Sequence, residues 1–233
     1  MTNALEVNGL VSGYGASEVI SDVSFKLAKS EVLAIVGKNG MGKTSLLKAV
    51  LGFLPAWNGS VRLDGKDVTR MPPHLKRRLG VVYVPQEQAL FQDLTIRDNL
   101  RLGLLSDREL NAGLEQVGDW FPVLTQRLKQ RAGTLSGGEQ KMLIVARALM
   151  AEPKVLLLDE VTEGLQPSLV DRLAEVLTRC RHEIGTSMIV IEQHLPFALG
   201  IAGRYLVLKR GEVVDSAAVD AGASARIETY MRI

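Results

Sequence analysis

Short apolar runs recur along this chain with longer amphipathic stretches between them, and the two periods together predict its elements. Residues 5–11 and 19–27 alternate apolar and polar positions closely enough to predict two strands. Residues 32–36 are apolar throughout, the pattern of a strand buried on both faces, and residues 45–51 have the composition of a helix. Residues 59–65 predict a strand closing in a turn at Asp64 and Gly65, and residues 79–84 a second strand that ends at Pro85 and Gln86. From about Gln88 to Ala151 the period becomes helical, with Leu94, Ile96, Leu100, Leu102 and Leu105 expected on one apolar face. Strand character returns at 154–160, where an apolar run closes on Asp159 and Glu160. A helix over 168–183, a strand over 187–192 and a hairpin over 204–215 complete the pattern. Strands alternating with helices predict an α/β fold with a mostly parallel sheet.

A length of 233 residues at 46% hydrophobic content suits a single domain over 1–233. Residues 1–87 and 152–233 are expected to form its core and β parts, and about 88–151 an inserted helical lobe. A net charge of +2, with no cluster of basic residues interleaved with aromatics, gives no reason to expect a nucleic-acid partner. Lys76, Arg77 and Arg78 are expected in a solvated turn. Cys180 is the single cysteine, which excludes an internal disulfide and fits a reducing compartment, and it is expected as a packed helix residue. The N-terminal segment lacks the basic patch and apolar core of a signal peptide, and no run of 18 apolar residues occurs.

Chemistry enters at residues 37–44, where Gly37, Lys38, Asn39, Gly40, Met41, Gly42, Lys43 and Thr44 complete a G-x-x-x-x-G-K-[ST] phosphate loop between a predicted strand and a predicted helix. Gly37, Gly40 and Gly42 let the backbone come close to phosphate, and the N–H groups of the loop and of the following helix, from Ser45 on, point at it. Lys43 is placed to neutralise β- and γ-phosphate charge, and the Thr44 hydroxyl to bind Mg²⁺. Asp159 stands where a Walker B aspartate supports the Mg²⁺ through its water shell, and Glu160 is the candidate to polarise an attacking water. Ser136 and Glu139 form a Ser-x-x-Glu capping box ahead of an apolar helix, with Gly137 and Gly138 leaving that helix's first N–H groups bare for an anion. Tyr14, between Gly13 and Gly15, either stacks on a purine base or is an ordinary turn tyrosine.

Tyr14, the phosphate loop, Gln86, the Leu-Ser-Gly-Gly-Glu-Gln run at 135–140 and the Asp159–Glu160 pair together resemble the ATP-binding subunits of ABC transporters, over essentially the whole chain. The resemblance implies a P-loop NTPase fold with a mostly parallel core sheet, an antiparallel β subdomain and an inserted α-helical lobe. It implies ATP and Mg²⁺ as cofactors, with Thr44, Gln86 and Asp159 around the metal, and a head-to-tail dimer in which Ser136, Gly137, Gly138 and Glu139 of one subunit complete the other's site. Gln86 becomes the residue that senses the γ-phosphate and links the core to the lobe touching the permease. Phe121 to Leu124, Gln130 to Thr134 and the Glu192–Gln193 pair are similar to the importers of branched-chain and other hydrophobic amino acids, urea or short amides, and the chain resembles the shorter of their two ATPases. That kinship implies a second ATPase subunit, identical or different, two membrane permeases and, indirectly, an extracytoplasmic binding protein. It places the chain at the cytoplasmic face of the inner membrane.

Three positions depart from the family pattern. The switch histidine falls at Gln193, with His194 next to it; Gln193 is expected to make the γ-phosphate contact, and a one-residue slip would give that role to His194. The D-loop aspartate position carries Gln166, which bears on whether the two sites are equal, and Val161 replaces the proline after Glu160. A soluble ABC factor is disfavoured because the chain has neither a coiled-coil insertion nor a tandem second ATPase domain. A switch GTPase is disfavoured because no Asn-Lys-x-Asp segment is present.

Overall fold

The computed structural model describes residues 3–87 and 90–232. The chain opens with two twelve-residue strands, β1 (Asn3–Tyr14) and β2 (Ser17–Ala28), paired antiparallel. Next come β3 (Val32–Val36) and α1 (Lys43–Leu51), joined by the glycine loop. β4 (Ala56–Leu63) and β5 (Lys66–Asp67) join the first two strands in a four-stranded antiparallel sheet of order β2-β1-β4-β5. The β4–β5 turn falls on Asp64 and Gly65, both at positive φ (47° and 80°), the conformation that a tight hairpin demands of its two central residues.

α2 (Pro73–Arg78) leads into β6 (Val81–Val84), and six helical segments then fill 96–149: α3 (Ile96–Arg101), a 3₁₀ turn, α4 (Leu110–Trp120), α5 (Pro122–Thr125), a second 3₁₀ turn (Ala132–Thr134) and α6 (Gly137–Leu149). The core is completed by β7 (Val155–Asp159), α7 (Pro167–Glu183), β8 (Ser187–Ile191), α8 (Leu195–Ile201), the hairpin β9 (Arg204–Lys209) and β10 (Glu212–Ala218), and α9 (Ala223–Met231). The second sheet has order β10-β9-β3-β8-β7-β6, and all its pairs are parallel except β9–β10. β3, β7 and β8 lie inside it, buried at every residue, as their unbroken apolar sequences require. This is the mixed α/β architecture expected, with its antiparallel sheet and its block of helices.

α1 is the wedge between the two sheets. Leu46, Leu47 and Val50 sit in one cluster with Val7, Ile20, Leu33 and Leu157. Each such side chain removed from water contributes roughly 1.5–3 kcal/mol, so the helix that follows the phosphate loop is clamped from both sides. A second cluster joins the 96–149 helices to the opposite face of the parallel sheet and to α7, through Trp120, Leu143 and Val145 with Leu156 and Leu158 of β7 and Leu177 of α7.

Three expectations are corrected. Residues 73–78 are a helix instead of a solvated turn, and Lys76 is buried, its ammonium donating to the Val50 carbonyl at 2.7 Å near the C-terminal end of α1. Burial pushes this lysine down to about 8. The apolar face expected over 94–105 is broken: Ile96 and Leu100 are buried, but Leu94, Leu102 and Leu105 are exposed. α3 ends after six residues, so the helical spacing that links Ile96 to Leu100 does not carry on. Among the described residues after β6, helix begins at Ile96, later than the helical period from about Gln88 predicts; Gln88 and Ala89 lie outside the described residues. Cys180 is buried as expected, its thiol donating to Thr186 Oγ1 at 3.4 Å and pushed up to about 11 by burial.

Candidate functional site

The phosphate loop crosses from the buried end of β3 to α1. Gly42 precedes the helix at φ 97°, a left-handed conformation suited to glycine, and no side chain caps the helix there. The first N–H groups of α1 are therefore unanswered by any capping side chain, the condition for an anion site. The loop tip is braced from behind: Gly211 N–H donates to the Met41 carbonyl at 3.0 Å, and Arg210 N–H approaches Met41 Sδ at 3.4 Å, so the β9–β10 turn backs the loop. Lys43 is 4% exposed and folds back on its own loop, donating to the Gly37 and Lys38 carbonyls at 2.9 and 3.0 Å. It also lies 3.3 Å from Glu160 Oε1. A cleft of about 320 Å³ is lined by Asn39, Gly40, Gly42, Lys43, Thr44, Ser45, Gln86 and Glu160. Tyr14 stands near it, half exposed, its hydroxyl 3.4 Å from Ser45 Oγ.

The acids arrive from the neighbouring strand ends. Asp159 is the last residue of β7 and fully buried, with Thr44 Oγ1 donating to one carboxylate oxygen at 3.2 Å and the Tyr83 hydroxyl donating to the other at 2.9 Å. Burial raises its pKa and the two hydroxyl donors oppose the rise. Tyr83 in turn is held far above its ordinary value by burial and by the Asp159 charge beside it. Thr44 and Asp159 present hard oxygens, the donor type that suits a divalent cation sharing its shell with phosphate and water.

Glu160 follows at φ 48°, a left-handed conformation uncommon for a residue with a side chain, and its N–H is tied to the Ile191 carbonyl at 2.9 Å. That turn aims its carboxylate into the cleft, where Oε2 accepts from Gln193 Nε2 at 2.9 Å and from Gln86 Nε2 at 3.1 Å. Gln86 also reaches Glu163 Oε2 at 3.0 Å. His194 makes no such contact with Glu160. It lines a second cleft of about 620 Å³ with Asn39, Glu160, Thr162, Glu192 and Gln193.

Ser136, Gly137, Gly138 and Glu139 form the start of α6, and the capping box is complete: Ser136 Oγ accepts from Glu139 N–H at 3.3 Å, and Glu139 Oε2 accepts from Ser136 N–H at 2.9 Å. The Ser136 N–H holds the Glu139 carboxyl below the usual range, and Arg127 pairs with it at 2.8 Å. None of these four residues lines the phosphate-loop cleft. Gln166 precedes α7 with no side-chain capping bond, and Val161 is fully buried.

Three residues at the site, Tyr83, Lys141 and Thr162, are not marked by the sequence, and Glu192 is marked only as half of the Glu192–Gln193 pair. Tyr83 holds Asp159. Lys141, on the first turns of α6, donates to the Gln86 carbonyl at 3.1 Å and approaches the Glu160 carbonyl at 3.5 Å, joining the helix block to the acids. Glu192 and Thr162 form a buried pair between the exits of β8 and β7. For Tyr83, Thr162 and Glu192 the signal available is a position at or just beyond strand ends in a parallel sheet, where ligands gather; Lys141 is on a helix and carries none.

The ABC transporter family profile matches residues 20–163, more than half of the chain. The chain belongs to the ABC transporter ATP-binding family. It is therefore an ATPase that binds nucleotide, a kind of subunit that works with permeases. It is 37% identical over 203 residues to the high-affinity branched-chain amino acid transport ATP-binding protein BraG of Pseudomonas aeruginosa, covering 86% of this chain and 87% of that one. It is 34% identical to the probable branched-chain amino acid transport ATP-binding protein LivF of Archaeoglobus fulgidus, covering 88% and 87%. The lipopolysaccharide export ATP-binding protein LptB of Haemophilus influenzae is also a relative, at 29% over 90% of this chain and 88% of that one. The fold superposes at a TM-score of 0.88 on the ADP conformation of an ATP-binding cassette of an ABC transporter, at 23% identity over 98% of this chain and 96% of that one. Among the described residues no helix is long and apolar enough to cross a membrane.

Proposed function

We propose that this ATPase powers an importer of branched-chain or other hydrophobic amino acids. The observation that carries the reading is the 37% identity to BraG across most of both chains, supported by the Glu192–Gln193 pair in place of the usual switch sequence. In this reading Tyr14 stacks on the base, and the uncapped N–H groups of α1 with Lys43 hold the phosphates, Lys43 leaving the Gly37 and Lys38 carbonyls to do so. Thr44, Asp159 and Gln86 are the residues that would hold Mg²⁺, which neutralises charge on the transferring phosphoryl group. Glu160 orients the attacking water. Gln193 is the γ-phosphate switch, supported by its 2.9 Å bond to Glu160, which His194 lacks.

Ser136, Gly137, Gly138 and Glu139 serve the nucleotide of a second ATPase subunit, a reading supported by their absence from this chain's own phosphate cleft. Two permeases and an extracytoplasmic binding protein complete the assembly at the cytoplasmic face of the inner membrane. Gln166 leaves room for two unequal sites. Residues 163–168 favour one alternative cargo, urea or short amides. The test is uptake of labelled leucine and of labelled urea by cells in which Lys43 is replaced by Ala. Loss of leucine uptake alone supports the proposal, and loss of urea uptake alone replaces it with the amide reading. A pull-down with the Glu160→Gln protein from membranes is expected to recover two permeases and a second ATPase.

A further inference from the structure

We infer that Glu192 is a positioning residue, a buried clasp that sets the distance between Glu160 and Gln193 and thereby governs the hydrolytic step without touching nucleotide. The inference rests on the catalytic reading of Glu160 and Gln193 given above. Glu192 is the residue immediately after β8 and is 2% exposed. Its two carboxylate oxygens are both engaged by one residue, Thr162: Oε1 accepts from Thr162 N–H at 2.8 Å and Oε2 from Thr162 Oγ1 at 2.8 Å. Thr162 stands two residues beyond Glu160, on the turn that leaves β7 with Glu160 in its left-handed conformation.

Beside the backbone bond from the Glu160 N–H to the Ile191 carbonyl, the two strand exits are thus joined twice by side chains. On the cleft side Gln193 Nε2 bonds Glu160 Oε2 at 2.9 Å; on the buried side Glu192 holds Thr162. A pair of adjacent residues on one loop grips a pair of near-adjacent residues on the other. The first grip must loosen when Gln193 turns to a phosphate, so the second, with the Glu160–Ile191 backbone bond, keeps the loops in register through the cycle. Burying a carboxylate costs free energy that an apolar side chain at the strand end would not incur. What the acid adds is two fixed acceptors, and both are spent on the turn that aims Glu160. Hydrolysis depends on that aim to within a fraction of an ångström, whereas nucleotide binding depends on the phosphate loop; the hydrogen bonds of the Glu192 carboxylate go to Thr162.

The experiment compares ATP affinity, KM, kcat and thermal midpoint for the full-length ATPase carrying Glu192→Ala, Glu192→Gln or Thr162→Val, with Glu160→Gln as the reference. Glu192→Ala is expected to lower kcat by ~10- to 100-fold while ATP affinity and KM stay within about threefold. Glu192→Gln should restore most of kcat, because its amide oxygen accepts the Thr162 N–H and its NH₂ group donates to Thr162 Oγ1. Thr162→Val keeps the N–H and loses the hydroxyl, and should fall between. Unchanged kcat in both Glu192→Ala and Thr162→Val overturns the clasp. So does a parallel loss of affinity and turnover, or a failure of Glu192→Gln to rescue, since either marks a general structural or charge role. If Glu192→Ala does not fold, the Thr162→Val and Glu192→Gln proteins decide by the same criteria. Persistent turnover in Glu160→Gln defeats the reading of Glu160 itself, a result separate from any outcome at Glu192.

Discussion

The N-termini of α1, preceded by Gly42, and of α6, opening on Gly137, are finished in opposite ways. At α1, Gly42 offers no cap, and the basic side chain closest to the open end, Lys43, is folded onto loop carbonyls it can release. At α6, Ser136 and Glu139 answer each other's backbone N–H groups, and Glu139 is further held by Arg127. The difference is one of demand. At α1 no side chain answers the first N–H groups and a buried cation stands beside them; at α6 the capping box answers the Ser136 and Glu139 N–H groups within the chain. Under the proposed function the two ends take different duties: α1 would bind nucleotide for this subunit, and α6 would face the nucleotide of another.

The comparison can be broken in four places. The largest effect is expected beside the α1 end, where Glu160→Gln should leave ATP binding intact and reduce turnover by roughly 10²-fold or more. Steady-state phosphate release against equilibrium nucleotide binding makes the check. Next is Lys43→Ala, which removes the cation from the open end and should weaken ATP binding by roughly 10²-fold, measured by titration with a fluorescent ATP analogue.

Ser136→Ala tests the closed end. Loss of the cap should cost about 1 kcal/mol in urea denaturation while ATP affinity of the isolated chain stays unchanged. A clear loss of affinity there would erase the contrast between the two helices.

The smallest effect lies at the far end of α1, where Lys76 is pushed down to about 8 by burial. The native state gives up this proton before the unfolded chain does, so the unfolded state binds more protons between about pH 8 and the ordinary lysine value, and stability rises with pH across that window. Lys76→Met lacks this rise. Its stability relative to wild type should therefore worsen from about pH 7 to about pH 9.5, followed by thermal melting in matched buffers.

Much of the site was legible because it is contiguous. The phosphate loop, Asp159–Glu160 and the Ser136–Glu139 box each carry their chemistry within a few residues, and strand and helix periods on either side place them. Lys76 shows where such reading stops. Three basic residues in a row look solvated, and the local composition says nothing of the Val50 carbonyl that receives one of them. The stretch from Leu94 to Leu105 fails for a related reason: apolar spacing was extrapolated past the point where α3 ends, and Leu102 and Leu105 are left on the surface.

The sequence by itself determined the family, the triphosphate-binding loop, the acids that follow β7 and the capping of α6, because each rests on neighbours in the chain whose geometry is local. The strand order β3-β8-β7-β6 was decided by the tertiary structure alone, and with it every contact that crosses from one strand exit to the next. Tyr83 meets Asp159 because β6 lies beside β7 in register, Tyr83 opposite Leu157. Glu192 meets Thr162, and Gln193 meets Glu160, because Asp159 pairs with Ile191 at the parallel ends of β7 and β8. Pairing between segments some thirty or more residues apart depends on which buried faces stack on which, a collective property of the core that no short stretch of sequence encodes.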